Sequence, residues 1–220
     1  MAERNFRPHV NCVNITPDQK YLCAVDLGVD QVKIYKFNDE TGKITLVDML
    51  RCELESAPRI IKFSPDGRFA YLICELKNYI SVYSYKDGPR GPVFELVQTI
   101  STLNEYHSKG SAACVLRFSR DWNYVLCSNA GDNSVGIFKI DRETGMLEKI
   151  CILPVSGDYP KAADFFPDNR HIMALNHESN TMTIFRINYE KKYFSLWGKP
   201  LKVETPNCVL VSEIEEAPKQ

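Results

Sequence analysis

The sequence predicts an all-β protein: four consecutive β-propeller blades of four strands each, followed by one further strand. Three landmarks that recur in fixed order carry this prediction. The first is a turn, at Thr16-Pro17-Asp18, Ser64-Pro65-Asp66-Gly67, Ser119-Arg120-Asp121 and Phe166-Pro167-Asp168-Asn169. The second is an aliphatic-x-aliphatic-aromatic strand, at Val32 to Tyr35, Ile80 to Tyr83, Val135 to Phe138 and Met182 to Phe185. The third occurs twice, as Asn38-Asp39-Glu40-Thr41-Gly42 and Asp141-Arg142-Glu143-Thr144-Gly145. The turn aspartates at 18, 66, 121 and 168 are 48, 55 and 47 residues apart. A period of about 40–50 residues is that of a propeller blade.

Within a repeat, each element has a local cause. A first strand runs into the Pro-Asp turn and a second leaves it, as in Phe69-Ala70-Tyr71-Leu72-Ile73. Proline presets φ, aspartate bonds its own backbone and glycine accepts positive φ, so the segment between them turns. The aromatic-ended third strand follows, with both faces partly apolar, as a blade sandwiched between neighbours requires. A fourth strand (Leu96 to Ile100; Met146 to Ile152) comes next. No segment keeps a 3.6-residue period over a helix length. The repeats run at about 8–55, 56–110, 111–157 and 158–204, with a partial copy at 205–212, in one domain spanning 1–220.

The spacing of 55 reflects extra residues between Ser101 and Ser111, where Asn104-Glu105-Tyr106-His107-Ser108-Lys109-Gly110 makes a polar loop. Propeller function resides in loops around one mouth of the channel, so this is a candidate lid or substrate loop. A tolerated surface insertion explains it equally well. The partial copy, Pro206 to Val211, matches a first strand only.

Composition narrows the class. The 220 residues are 44% hydrophobic with a net charge of −1, and they contain no Lys/Arg block. Nucleic acid and anionic membrane are therefore not expected partners. No apolar run approaches the roughly 18 residues of a membrane span. The polar start, Met1 to Phe6, lacks a secretory signal, so a cytoplasmic protein is expected. Eight cysteines are scattered without a C-x-x-C pair, mostly in strand-like runs. They read as reduced core thiols, and no metal site or cofactor is expected.

A Pro-Asp hairpin brings the start of strand one and the end of strand two to the same mouth. The first position holds Asn11, Arg59, Cys114, Lys161 and, in the fifth copy, Asn207; the second holds Leu27, Glu75, Ala130 and His177. Arg59 and Glu75 lie eight residues either side of Gly67, which places them opposite each other. These positions vary while the turns stay constant, the pattern of an asymmetric site on a symmetric scaffold. Arg59 and Lys161 suit an anionic substrate; Glu75 and His177 suit proton transfer. The plain alternatives are a cross-strand ion pair at a wet rim, an exposed loop histidine and a solvated lysine. His9 stands just before the first strand, His107 lies in the insertion, and His171 follows a turn and is expected at the surface. Neither a phosphate-binding Gly-rich loop nor a G-x-S-x-G elbow is present.

The string Pro58-Arg59-Ile60-Ile61-Lys62-Phe63-Ser64-Pro65-Asp66-Gly67-Arg68-Phe69-Ala70-Tyr71, ending in Glu75-Leu76, resembles the propeller-type 6-phosphogluconolactonase family. So do Val25-Asp26-Leu27-Gly28-Val29-Asp30 and Gln98-Thr99-Ile100-Ser101-Thr102-Leu103. The likeness runs from about Pro8 to Val211. It implies a seven-bladed ring and cofactor-free hydrolysis of 6-phosphoglucono-δ-lactone to 6-phosphogluconate, in the oxidative pentose phosphate route. It also implies that Arg59 and Glu75 are site residues; His9, Asn11, His107 and Lys161 are candidate substrate contacts by their places at the mouth and in the insertion. The family usually has histidine at the position of Asn11 and often at Ile60, and commonly arginine at Ala130. Two functions therefore stand: a lactone hydrolase using Arg59, Glu75 and His177, or a non-catalytic propeller binding a sugar acid or a protein partner. Four repeats against seven blades lead us to expect two to three further blades before Met1. An open arc of this kind is expected to self-associate through its edges.

Overall fold

The computed structural model describes residues 7–212. They form seventeen strands and a single 3-10 turn, at Leu27–Val29. Blade 1 is β1 (Val10–Ile15), β2 (Tyr21–Asp26), β3 (Gln31–Phe37) and β4 (Ile44–Arg51). Blade 2 is β5 (Pro58–Phe63), β6 (Phe69–Cys74), β7 (Tyr79–Gly88) and β8 (Gly91–Ser101). Blade 3 is β9 (Ala113–Phe118), β10 (Tyr124–Asn129), β11 (Ser134–Ile140) and β12 (Leu147–Pro154). Blade 4 is β13 (Pro160–Phe165), β14 (His171–Asn176), β15 (Thr181–Asn188) and β16 (Tyr193–Leu196). In each sheet the strands pair in sequence order, and the ladders are antiparallel.

The additional strand is β17 (Leu201–Lys202), which pairs with β15 and continues the outer edge of blade 4 beyond β16. Pro206 to Val211, expected as a first strand, belongs to no ladder. A first strand pairs with the second strand of its own blade, which would follow it in sequence, and the residues from 213 onward lie outside the described part.

Each of the three hydrophobic clusters is an interface between adjacent blades. Along β6, Ala70, Leu72 and Cys74 enter the cluster shared with Cys23, Val25, Val32 and Ile34 of blade 1. The alternate residues Phe69, Tyr71 and Ile73 enter the one shared with Ala113, Leu116, Val125 and Phe138 of blade 3. The two-residue period of a strand thus buries both faces, which is why β6 reads as a continuous apolar run. Leu72, fully buried, sits mid-strand in the first of these clusters. Its replacement by alanine is expected to cost about 2–5 kcal/mol through lost transfer energy and an unfilled cavity. Val10, Val13 and Ile15 of β1 remain about half exposed, at 52%, 54% and 51%.

The Pro-Asp turns repeat their chemistry without repeating their residues. Thr16, Ser64 and Ser119 each donate a hydroxyl hydrogen bond of 2.6 Å to the aspartate two residues on. The residue after each aspartate takes positive φ: Gln19 at 59°, Gly67 at 72°, Trp122 at 55° and Asn169 at 54°. Only blade 2 supplies glycine, so Gln19→Gly is expected to be neutral or to stabilise by up to about 1 kcal/mol, readable as a rise in Tm.

Burial opposes ionisation of Asp66, Asp121 and Asp168, yet hydrogen bonds to each carboxylate prevail and hold all three pKa values below the ordinary range. A depressed folded pKa contributes stability above the unfolded value of about 3.9 and loses it as pH falls through the folded pKa. Denaturant midpoints are therefore expected to fall below about pH 4, and Asp66→Asn is expected to flatten that fall.

A second repeated device joins successive blades. Asp30, Asn78, Asn133 and Asn180 all sit at φ of 52–55° in the turn before the third strand. Their carbonyls accept hydrogen bonds from Cys52, Thr102, Val155 and Val203, at 2.9–3.0 Å, on the segment leading to the next blade. The side-chain oxygens of Asp30, Asn133 and Asn180 accept from the amides of Ala57, Tyr159 and Thr205, at 2.8, 2.8 and 2.7 Å. Those three residues are themselves in the left-handed region, at 53°, 60° and 41°, and each precedes a proline. The clasp therefore fixes where the next first strand begins. Asn78 instead donates to the carbonyl of Ser111 at 3.0 Å, where the longer insertion intervenes.

Candidate active site

Every first strand carries an irregularity at one register position. Pairing skips from Val10 to Cys12, from Pro58 to Ile60, from Ala113 to Val115 and from Pro160 to Ala162. The skipped residues are Asn11, Arg59, Cys114 and Lys161, the variable row read from the sequence. A bulge leaves its residue out of the ladder and re-aims the side chain, which is how a regular sheet presents a site. The second row follows directly after β2, β6, β10 and β14. The amides of Leu27, Glu75, Ala130 and His177 donate to the carbonyls of His9, Ala57, Ala112 and Tyr159, at 3.0, 2.8, 2.8 and 3.0 Å.

Arg59 and Glu75 meet across this hairpin mouth, Arg59 Nη1 donating to Glu75 Oε2. The Glu75 side chain is 4% exposed and that of Arg59 27%, so the carboxylate is the buried partner. Arg59 Nε donates at 2.9 Å to the carbonyl of Cys114 in the next blade, and the Ala113 amide donates at 3.0 Å to the Glu75 carbonyl. Neither contact uses Nη2 of Arg59. Burial raises the Cys114 thiol pKa; the Arg59 charge lowers it, that of Glu75 raises it and that of Lys161 lowers it again. Arg59, Glu75 and Lys161 therefore share one neighbourhood around Cys114, a small residue that leaves them room.

Lys161 Nζ lies 5.6 Å from the ring centroid of Tyr159. His177 is half-buried, and its Nδ1 is 3.3 Å from the Pro206 carbonyl, at the start of the fifth copy. The remaining candidates stand apart. Asn11 and His9 are exposed on blade 1, with the His9 amide donating to Asp26 Oδ1 at 2.8 Å. His107 is exposed, with Nδ1 2.9 Å from the Asn104 carbonyl. It lines a shallow cleft of ≈ 400 Å³ with Leu76, Lys77 and Asn78, so the insertion adjoins the turn that follows Glu75. His171, expected at the surface, is half-buried instead: it lies at the turn end, with Nδ1 2.6 Å from Asp168 Oδ2 and its ring against Trp197. A mainly apolar cleft of ≈ 230 Å³ also opens at that far end, around Phe69, Tyr71 and Trp122, and holds none of the candidates.

Sequence reading missed the clasp residues and Tyr159. The clasp had a signal: Asp30, Asn78, Asn133 and Asn180 each stand two residues before the first aliphatic of the third strand. Tyr159 had none, because Lys161 reaches it through the bulge.

A family model described as "Lactonase, 7-bladed beta-propeller" matches residues 1–211. The chain belongs to this lactonase family. A Bacillus subtilis (strain 168) member named 6-phosphogluconolactonase is 27% identical over 207 residues, covering 94% of this chain and 58% of that protein. An uncharacterised Lactococcus lactis protein is 33% identical over 202 residues, covering 92% and 58%. Among solved lactonase-type structures, the Pseudomonas aeruginosa periplasmic gluconolactonase PpgL superposes with a TM-score of 0.84 at 26% identity, covering 94% of this chain and 58% of that one. The chain thus spans somewhat over half the length of the relatives it matches. Among the described residues, no helix is long and apolar enough to cross a membrane.

Proposed function

We propose that the Arg59–Glu75 mouth hydrolyses a sugar lactone, and that the substrate is 6-phosphoglucono-δ-lactone. The observation that carries this reading is the buried carboxylate of Glu75, held by an arginine that sits on a bulge and whose Nη2 takes part in no hydrogen bond among the described residues. In the proposed reaction Glu75 accepts a proton from water as the oxygen adds to the lactone carbonyl carbon. Arg59 Nη2 and Lys161 stabilise the developing oxyanion or bind the phosphate. Collapse of the adduct breaks the bond from that carbon to the ring oxygen, which takes up the proton from Glu75 or from His177. The product is the open-chain 6-phosphogluconate.

A specific observation favours a second reading, a propeller that binds a sugar acid without turning it over. Leu27 and Ala130 are buried at 2% and 0%, so two of the four second-row positions offer no reacting group. The discriminating experiment measures 6-phosphogluconolactone hydrolysis above its spontaneous rate, with Arg59→Ala/Glu75→Gln as the comparison. A wild-type rate well above that of the double variant supports hydrolysis. Equal rates, with 6-phosphogluconate still bound by the wild type, support the second reading.

A further inference from the structure

A second variable row lies three residues further along each first strand. Asn14, Lys62, Arg117 and Asp164 pair with Cys23, Tyr71, Leu126 and Met173, which puts them in one register about 10 Å from the bulge row. Like the bulge row, this one varies in charge from blade to blade, so blade packing does not dictate its content.

Three cations gather here around one carboxylate. Arg117 Nε lies 3.6 Å from Asp164 Oδ2, and the charges of Arg120 and Lys62 act on the same group. Asp164 is mostly buried, its side chain 15% exposed, and burial raises its pKa in spite of those cations. Arg120 spends only Nη2 on the Val211 carbonyl, at 2.6 Å, and Lys62 makes no hydrogen bond through its ammonium among the described residues. The four side chains line a cleft of ≈ 420 Å³ with Phe118 and Trp122, whose rings stack at 4.4 Å. Trp122 belongs to a Pro-Asp turn, so the cleft opens at the end of the blades away from Arg59 and Glu75.

Three positive charges against one negative, beside the stacked Phe118 and Trp122 rings, form a field that a compact dianion balances. Guanidinium groups and an ammonium are the donors that match phosphate oxygens, and the aromatic surface beside them suits an organic substituent. We propose that this cleft is a second ligand site, separate from the mouth, that binds a small phosphate monoester. Its phosphate sits among Lys62, Arg117 and Arg120, and its organic part lies against Phe118 and Trp122.

The test titrates the full chain with phenyl phosphate, followed by calorimetry, with inorganic phosphate as the second probe. Lys62→Ala and Arg120→Ala are each expected to weaken binding about tenfold, the loss of one charge-assisted contact. Asp164→Asn removes the single opposing charge and is expected to tighten binding several-fold. Arg59→Ala is expected to leave the affinity unchanged. Far-ultraviolet circular dichroism verifies that each variant is folded; Lys62, being part-exposed, is the safest of them. Absence of binding by the wild type overturns the proposal. So does binding that Arg59→Ala abolishes and Lys62→Ala spares, because the ligand then sits at the mouth. Weaker binding by folded Asp164→Asn overturns the electrostatic argument, and equal affinity for inorganic phosphate overturns the assignment of a monoester.

Discussion

Glu75→Gln is expected to lower the catalysed hydrolysis of 6-phosphogluconolactone by about 10²–10⁴-fold, the usual contribution of a positioned general base. The substitution keeps the size of the side chain and an acceptor oxygen for Arg59, but removes the basic carboxylate. The loss should therefore fall on kcat, with KM little changed. Arg59→Ala should behave differently: it removes an oxyanion donor and also leaves Glu75, 3% exposed, without its guanidinium. Activity should fall with a simultaneous loss of stability, since taking a charged hydrogen-bond donor from a buried carboxylate is costly. Steady-state kinetics on both variants, with Tm recorded for each, separates a chemical role from a structural one. Wild-type kcat in Glu75→Gln would remove Glu75 from the mechanism.

Asp30→Ala is expected to destabilise the fold by about 2–4 kcal/mol, although Asp30 belongs to blade 1 and Arg59 and Glu75 to blade 2. Its carboxylate accepts from the amides of Glu55 and Ala57, both at 2.8 Å, and thereby holds two consecutive-but-one residues at positive φ, 62° and 53°. Ala57 is fully buried, so its amide would be left without a partner. The same residue receives the Glu75 amide on its carbonyl and precedes the strand on which Arg59 bulges. Loss of the clasp should therefore loosen the mouth as well as the blade interface. Urea unfolding gives the stability change, and lactone hydrolysis at a temperature where the variant remains folded gives the loss at the site. Asp30→Asn keeps an acceptor and should recover most of both, which distinguishes the clasp from a general effect of charge.

The turns were legible because their causes are local. Asp66 can be read as a turn residue from its neighbours Ser64, Pro65 and Gly67, and its bonds to Ser64 and Arg68 stay within four residues. The strands of β6 and β10 were legible for a related reason: two buried faces make an apolar run whatever lies against them. The separation of Arg59 from Glu75 also came within reach, since a hairpin of known centre fixes which residues oppose. His171 shows the limit. Its position after a turn suggested the surface, but Trp197, from the end of the fourth strand, covers it.

By itself, then, the sequence determined the repeat, the turn chemistry and the two variable rows at the mouth, all set by backbone preferences and side-chain bonds over a few residues. Tertiary structure alone decided that Arg59 bulges from its ladder, that it reaches the carbonyl of Cys114, and that Lys62, Arg117 and Asp164 converge in the lower row. Those arrangements join residues about one blade apart in the chain. They depend on how the blades pack, and neither spacing nor composition records that.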